Sequence, residues 1–455
     1  MSMSRVVHQM PVKAGRVVQG RSEASPLSSS DETRLPRQGS KGAGRCLLEQ
    51  VVTKENMQRA WKRVKANKGA AGVDGLDIAQ TETHLRQVWP AIRQHLLAGT
   101  YQPLPVRRVC IPKPDGSERE LGIPSVTDRL IQQALLQVLQ PLIDPTFSEH
   151  SHGFRPGRRA WGAVLSAQRY AQEGYRIVVD VDLSRFFDRV NHDILIDRLS
   201  RRVNDAGVIR LIRAYLNGGI MDGGVVVERV EGTPQGGPLS PLLANVLLDE
   251  VDKELERRGH RFARYADDCN VYVRSQKAGE RVMALLKRCY DKLRLTINES
   301  KSAVTGVFGR NFLGYCLWQT RDGEVRRAVS KKAQEAFKQR IRQCTRRSGG
   351  RSLTEVIGKL CSYLPGWKGY FSLAQTPRVW RRLDEWIRRR LRALQLKQWR
   401  RGKTIYRELL RLGAKPGVAQ SVAALSHRWW HNSLSAGHSV LTIAYFDRLG
   451  VPRLS

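Results

Sequence analysis

The sequence predicts an α+β fold as far as about residue 320, followed by a basic, mainly helical segment. Helix-like and strand-like patterns mix along the first part without regular alternation. RIVVDVD (176–182) and RFARYADDCNVYVRS (261–275) are β-prone runs that carry acids among apolar residues. From Arg326 to Lys403 the chain holds 23 Lys+Arg against 4 Asp+Glu, in apolar spacing that suits helices.

The elements follow in order. Residues 1–45 are rich in Ser, Gly, Arg and Gln and read as a flexible tail. VVTKENMQRAWKRVKANKG places Val52, Met57, Ala60, Trp61 and Val64 at helical spacing, with Gly69 as a stop. VRRVCIPKPDGSERELGIP is β-prone around a Pro-Asp-Gly turn, the pattern of a hairpin. A helix is expected from Asp128 to Leu139. The 176–182 strand leads into FFDRVNHDILIDRLSRRV, which reads as helical. GTPQGGPLSPLLANVLLDEVDKELERRG is a Gly/Pro loop feeding a long helix. RFARYADDCNVYVRS reads as a tight hairpin with Asp267 and Asp268 at its tip. The expected domains are 46–175, 176–325, 326–403 and a small C-terminal one at 404–455.

Composition narrows the function. The 455 residues carry a net charge of +36, and more than half of it falls in 326–403. A small neutral substrate gives no reason for such an excess; a polyanion, nucleic acid first, does. No uncharged apolar run approaches the ~18–20 residues that span a bilayer, so no membrane partner is expected. Seven cysteines without a CxxC pair fit a reducing, cytoplasmic compartment. His427 and His431 flank two tryptophans at i,i+4 without HExxH and read as structural.

Asp180 and Asp182 project from one face of a strand while Val179 and Val181 project from the other. Acids ending an apolar strand need solvent, a partner or a metal. Placed beside Asp267 and Asp268 they make an oxygen-rich site suited to Mg²⁺.

These residues resemble a known family. Tyr265-Ala266-Asp267-Asp268 is similar to the YxDD box of reverse transcriptases. Val181-Asp182-Leu183-Ser184-Arg185-Phe186-Phe187-Asp188 resembles its partner box, and Thr233-Pro234-Gln235-Gly236-Gly237-Pro238-Leu239-Ser240-Pro241 the PQGxxxSP box. Ile111–Gly116 with Leu121–Pro124, and His152–Arg158, resemble fingers blocks. Asn298–Ser302, Phe312–Tyr315 and Leu364–Phe371 resemble the later blocks and the maturase domain. The resemblance covers roughly residues 50–455. It points to a bacterial group II intron-encoded reverse transcriptase/maturase of the endonuclease-lacking type.

That resemblance implies a right-hand polymerase: fingers and palm, a helical thumb/maturase domain, and a small C-terminal helical domain. It implies RNA-directed DNA synthesis together with binding of the parent intron RNA. Alternatives are an RNA-binding maturase that no longer polymerises, or a reverse transcriptase of a retron or antiviral system. Asp182, Asp267 and Asp268 would hold two Mg²⁺ ions, with Mn²⁺ as a substitute, and Lys301 would protonate pyrophosphate. Lys113, Arg119, Phe187 and Gln235 would surround the deoxynucleoside triphosphate, Phe187 excluding a 2′-hydroxyl. Phe312, Leu313, Gly314 and Tyr315 would grip the primer. Arg155, Arg158, Lys368, Arg388, Arg389 and Arg390 would bind nucleic acid, with exposed tryptophans stacking on bases. The implied partners are intron RNA, RNA template with DNA primer, and target DNA. The implied location is cytoplasmic, nucleoid-associated when bound to DNA.

Overall fold

The computed structural model describes residues 46–112, 116, 118–222, 224–227, 231–233, 236–434 and 440–455. The expected tail (1–45), Lys113, Gln235 and the side chain of Arg119 lie outside the described residues. Two compact units are present: residues 46–338 with Leu373–Thr376, and Gln339–Ser372 with Pro377–Ser455. The basic unit therefore begins at 339, not 326, and residues 404–455 belong to it instead of standing alone.

The first unit opens with helices α1 (Leu47–Val51), α2 (Lys54–Asn67) and α3 (Ile78–Ala98). The single helix expected at 51–69 is two, broken at the extended Thr53 and closed by left-handed Lys68 (φ 47°) ahead of Gly69. Helix α3 was not expected, yet its Asp77/Gln80 capping box is written in the sequence. Strands β1 (Val106–Pro112) and β2 (Glu118–Ile123) form the expected hairpin, and α4 (Val126–Ile143) the expected helix. Helix α5 (Ala160–Gln172) precedes β3 (Ile177–Val181).

The run after β3 is not one helix. A short 3-10 turn at Phe186–Asp188 comes first, and α6 (His192–Ser200) starts where the Asn191 side chain accepts from the Ile194 N–H. Next come α7 (Ala206–Asn217), β4 (Ile220–Asp222), β5 (Val225–Val227) and α8 (Ser240–Arg257). Strands β6 (Arg261–Tyr265) and β7 (Asp268–Val273) are followed by α9 (Gln276–Lys292), β8 (Ala303–Gly306), β9 (Tyr315–Gln319), β10 (Val325–Val329) and α10 (Lys331–Cys344).

The central sheet has the order β6-β7-β3-β8, antiparallel throughout. Its faces alternate as period-2 patterning requires. Val179, Val181, Phe262, Cys269 and Val271 enter the large core that also holds α4 and α8 residues. Val178, Ala263 and Tyr272 face a smaller core under α5. Asp180 and Asp268 are in step with that second face.

The second unit is helical. It holds the end of α10, α11 (Leu353–Tyr370), α12 (Pro377–Trp399), α13 (Gly402–Arg411), α14 (Pro416–Ala424), α15 (Trp429–Asn432) and α16 (Ile443–Arg448). Trp367 and Trp380 are buried and meet edge to face at 5.5 Å between centroids, so both pack the core and leave no face for a base. Among the described residues no helix is long and apolar enough to cross a membrane.

Candidate active site

The antiparallel register brings the acids together. Val181 faces Cys269, so the next residue, Asp182, stands opposite Asp268. Tyr265 pairs with Asp268, leaving Ala266 and Asp267 as the two-residue turn of the β6–β7 hairpin. Ala266 takes a left-handed φ of 58°, which tightens that turn. Asp268 lies in a field of like charge. Burial by surrounding protein, then Asp267, Asp180 and Asp182, push its carboxyl up to about 7, while Lys332 opposes them. By surface area Asp268 is nonetheless exposed. It is ringed by protein mass yet open on one side, where a cation or substrate can arrive.

Asp180 and Asp182 have separate roles. Arg310 Nε donates to Asp180 Oδ2 at 2.7 Å, and the Asn270 amide, oriented to satisfy both its ends, donates to Asp180 Oδ1 at 2.9 Å. Asp180 is thus occupied within the protein. Asp182 is fixed through its backbone: its N–H donates to Ser302 Oγ at 3.0 Å and its carbonyl accepts from the Asn298 N–H at 2.8 Å. Between those residues lies Lys301, whose side chain is exposed and whose carbonyl accepts from Arg310.

Phe187 is half-buried at the edge of the core; Phe186 beside it fills the core, with ring centroids 5.0 Å apart. Phe312 and Tyr315 exchange both backbone hydrogen bonds, at 2.8 and 2.9 Å, across Leu313 (φ 51°) and Gly314 (φ 80°). Positive φ at both central residues defines a type I′ hairpin turn. Gly236 has φ 136°, and a Cβ there would sit 2.6 Å from the Gly122 carbonyl oxygen at the end of β2.

Sequence reasoning missed Arg264, which holds the turn that carries Asp267. It is 1% exposed and spends its guanidinium on four groups. Nε bonds Asp252 at 2.8 Å, Nη1 bonds Asn245 Oδ1 at 3.0 Å and the Ala266 carbonyl at 2.9 Å, and Nη2 bonds Ser151 Oγ at 2.8 Å and Asp252 at 2.6 Å. One side chain thereby ties α8 and the 150–154 segment to the turn carrying Asp267. Gly153 completes the seat: a Cβ on it would meet the Ala266 backbone nitrogen at 2.2 Å. The signal available in sequence was an arginine between Ala263 and Tyr265, in the strand that leads into the Asp267-Asp268 turn.

Two expected nucleic-acid contacts are corrected. Arg155 is buried, donating to Asp144, Ser148 and Ser151 and lying over the Phe147 ring. Arg388 is fully buried, bonding Asp384, Asp447 and the carbonyls of Val451 and Pro452. Both guanidiniums are committed inside the fold and cannot reach a phosphate. Arg158, Arg389 and Arg390 are half-buried, and Lys368 is exposed. Arg389 lies 4.0 Å over the Trp430 ring, and Arg390 bonds Thr345 Oγ1 at 2.6 Å.

The acids suit a hard divalent cation: oxygen donors only, mutually repelling, one of them held near neutrality. Among the described residues no group of three or more His, Cys, Asp or Glu is already gathered to hold a metal ion. A divalent cation at these acids could complete its shell with substrate oxygens, as Mg²⁺ commonly does.

The family described as reverse transcriptase (RNA-dependent DNA polymerase) matches residues 111–317. The group II intron maturase-specific domain matches residues 334–413. Protein YkfC of Escherichia coli is 33% identical over 326 residues, 62% of this chain and 85% of that protein. The group II intron-encoded protein LtrA of Lactococcus lactis is 30% identical over 336 residues, 59% of this chain and 56% of LtrA. This chain thus spans about half the length of that intron-encoded relative. Nuclear intron maturase 2 of Arabidopsis thaliana is 32% identical over 177 residues, 30% of this chain and 24% of that one. Among solved structures, the partial Cas6-RT-Cas1–Cas2 complex aligns with 27% identity over 55% of this chain and 43% of that chain, at a TM-score of 0.36.

The fold and the site define a reverse transcriptase domain joined to a maturase domain. The chain belongs to the group II intron-encoded reverse transcriptase/maturase family.

Proposed function

We propose that this chain is an RNA-directed DNA polymerase that also binds its parent group II intron RNA, assisting splicing and mobility. The observation that carries the reading is the meeting of Asp182 with Asp267 and Asp268 across paired strands, in a field of like charge that raises Asp268. RNA binding alone gives no reason for such a cluster.

Asp182, Asp267 and Asp268 would hold Mg²⁺, with Mn²⁺ as a substitute. Two such ions, when bound, would activate the primer 3′-hydroxyl and stabilise the departing pyrophosphate. The rest falls to the protein. Phe187 stands at the core edge five residues beyond Asp182, where its ring would meet a ribose 2′-hydroxyl. Exposed Lys301 would deliver a proton to pyrophosphate. Lys113, Arg119 and Gln235 would position the triphosphate and base. The Phe312–Tyr315 turn would hold the primer end. Arg158 in the first unit, and Lys368, Arg389 and Arg390 in the second, would contact template–primer, intron RNA or target DNA. Splicing chemistry belongs to the RNA; the protein supplies positioning and charge neutralisation.

Replacing Asp267 and Asp268 together by Ala tests this, with cDNA synthesis and intron splicing measured side by side. Synthesis is expected to vanish and splicing to survive. Undiminished synthesis would remove the site assignment. If the unmodified protein makes no cDNA but promotes splicing, the binding-only reading replaces this one.

A further inference from the structure

We propose that the β6–β7 hairpin carries, at the end opposite its catalytic turn, a second nucleic-acid site that holds the phosphates of a single RNA strand. A pocket of about 850 Å³ opens there, between the end of α8, the start of β6, the end of β7 and one face of α9. Six cations line it: Arg258, Arg261, Arg274, Arg281, Lys287 and Arg288. All six are exposed. The carboxylate in the lining is Asp291.

Some of this charge is spoken for. Arg258 pairs with Glu254 at 2.6 Å, Lys287 pairs with Glu299 at 2.9 Å, and Arg274 stacks 5.0 Å over Tyr175. Among the described residues, Arg261, Arg281 and Arg288 have no ion-pair partner. Like charges gathered round one concavity repel one another across it. A bound polyanion relieves that repulsion.

Geometry favours a single strand. Arg281 and Arg288 lie seven residues apart on α9, about 10 Å along its axis. Ala284 sits between them and keeps the floor low. A cube of the pocket's volume is about 9 Å on a side; a duplex is wider than its own ~12 Å major groove, so one strand's backbone can sit in this concavity and a duplex cannot. Arg261 begins β6 and Tyr265 ends it, so the pocket lies roughly 13 Å from the catalytic turn. The site is therefore distinct from the polymerase centre. RNA is the expected occupant because the chain belongs to an intron-encoded family, so this inference rests on that membership and not on polymerase activity.

The test loads the polymerase channel with saturating template–primer duplex, then measures binding of a labelled unstructured RNA oligonucleotide across a salt series. The unmodified protein is expected to bind the oligonucleotide. The triple variant Arg261→Gln, Arg281→Gln, Arg288→Gln is expected to bind at least tenfold more weakly. Its log K against log salt slope should flatten by about two, at roughly 0.7 per phosphate contact on a single strand. Primer-extension kcat and KM should not change. Three results would each overturn the site: no oligonucleotide bound once the channel is full, equal binding by the variant, or a parallel rise in the KM for template–primer. Loss of binding to anionic vesicles with RNA binding intact would also overturn it, assigning the patch to lipid. Absence of extension by the unmodified protein, with RNA binding retained, would count against the polymerase reading while supporting this one.

Discussion

At Arg264 a single side chain links three segments that sequence alone keeps apart. Its bond to the Ala266 carbonyl fixes the turn bearing Asp267, while Asp252 neutralises it in a fully buried pair. Lysine keeps the charge but has a point-like head that cannot replace the planar fork. Arg264→Lys is therefore expected to lower kcat for cDNA synthesis while leaving the KM for nucleotide nearly unchanged. Asn245→Ala, which removes one acceptor, should lower kcat less and cost about 1–3 kcal/mol of stability. A rise in KM at constant kcat would remove the positioning role. Gly153→Ala probes the same seat from outside, since its methyl group would displace the Ala266 backbone. A shift of about 1 Å at reacting groups can cost about a hundredfold in rate, and single-turnover kinetics would read it. His152 bears on stability instead. Burial, then Arg158, His150, Arg155 and Arg264, lower its pKa to about 4. The unfolded chain thus binds more protons between about pH 4 and 6.5, so stability should rise with pH across that window, by up to about 1.4 kcal/mol per unit. A His152→Gln variant whose denaturation midpoint keeps the same pH slope would count against it.

At the scale of elements, what the sequence reveals depends on whether a signal is local. The strand at 177–181 and the hairpin at 261–273 are legible because alternation and the Asp-Asp tip are local patterns. The register that sets Asp182 opposite Asp268 is not legible, because it joins residues far apart in the chain. The run after β3 reads as one helix by apolar spacing, but the 3-10 turn at Phe186–Asp188 and the Asn191 cap divide it. The Phe312–Tyr315 turn was legible as a motif, and its backbone conformation explains the glycine. Gly314 sits at φ 80°, where a β-branched side chain is strongly disfavoured. Gly314→Val should therefore open this turn and cost roughly 1–2 kcal/mol, read as a lower unfolding midpoint. The larger functional sign would be a raised KM for primer at near-normal nucleotide KM.

For the whole molecule, the net charge of +36 does not translate residue by residue into nucleic-acid contact. Charge excess predicts a polyanionic partner, but not which arginines meet it, because burial is a tertiary property. Helix α12 shows both outcomes within a few turns. Arg388 and Arg392 turn inward: Arg388 pairs with Asp384 at 2.9 Å, and Arg392 donates to the carbonyls of Ser433 and Leu441. Arg378, Arg381 and Arg382 remain exposed on the same helix. The Arg388-Arg389-Arg390 run, expected from the sequence to bind nucleic acid, therefore mixes a buried arginine with two half-buried ones. Arg388→Ala leaves Asp384 buried without its cation and should cost roughly 3–5 kcal/mol, lowering the denaturation midpoint while the salt dependence of RNA binding stays as it was. Arg381→Gln with Arg382→Gln should do the reverse. The unfolding midpoint should hold, and the slope of log K against log salt should flatten by about 1.4 to 1.8, the loss of two phosphate contacts. Measuring midpoint and slope on both variants separates the arginines that build this unit from those that bind through it. A flattened slope in Arg388→Ala at an unchanged midpoint would reverse the assignment.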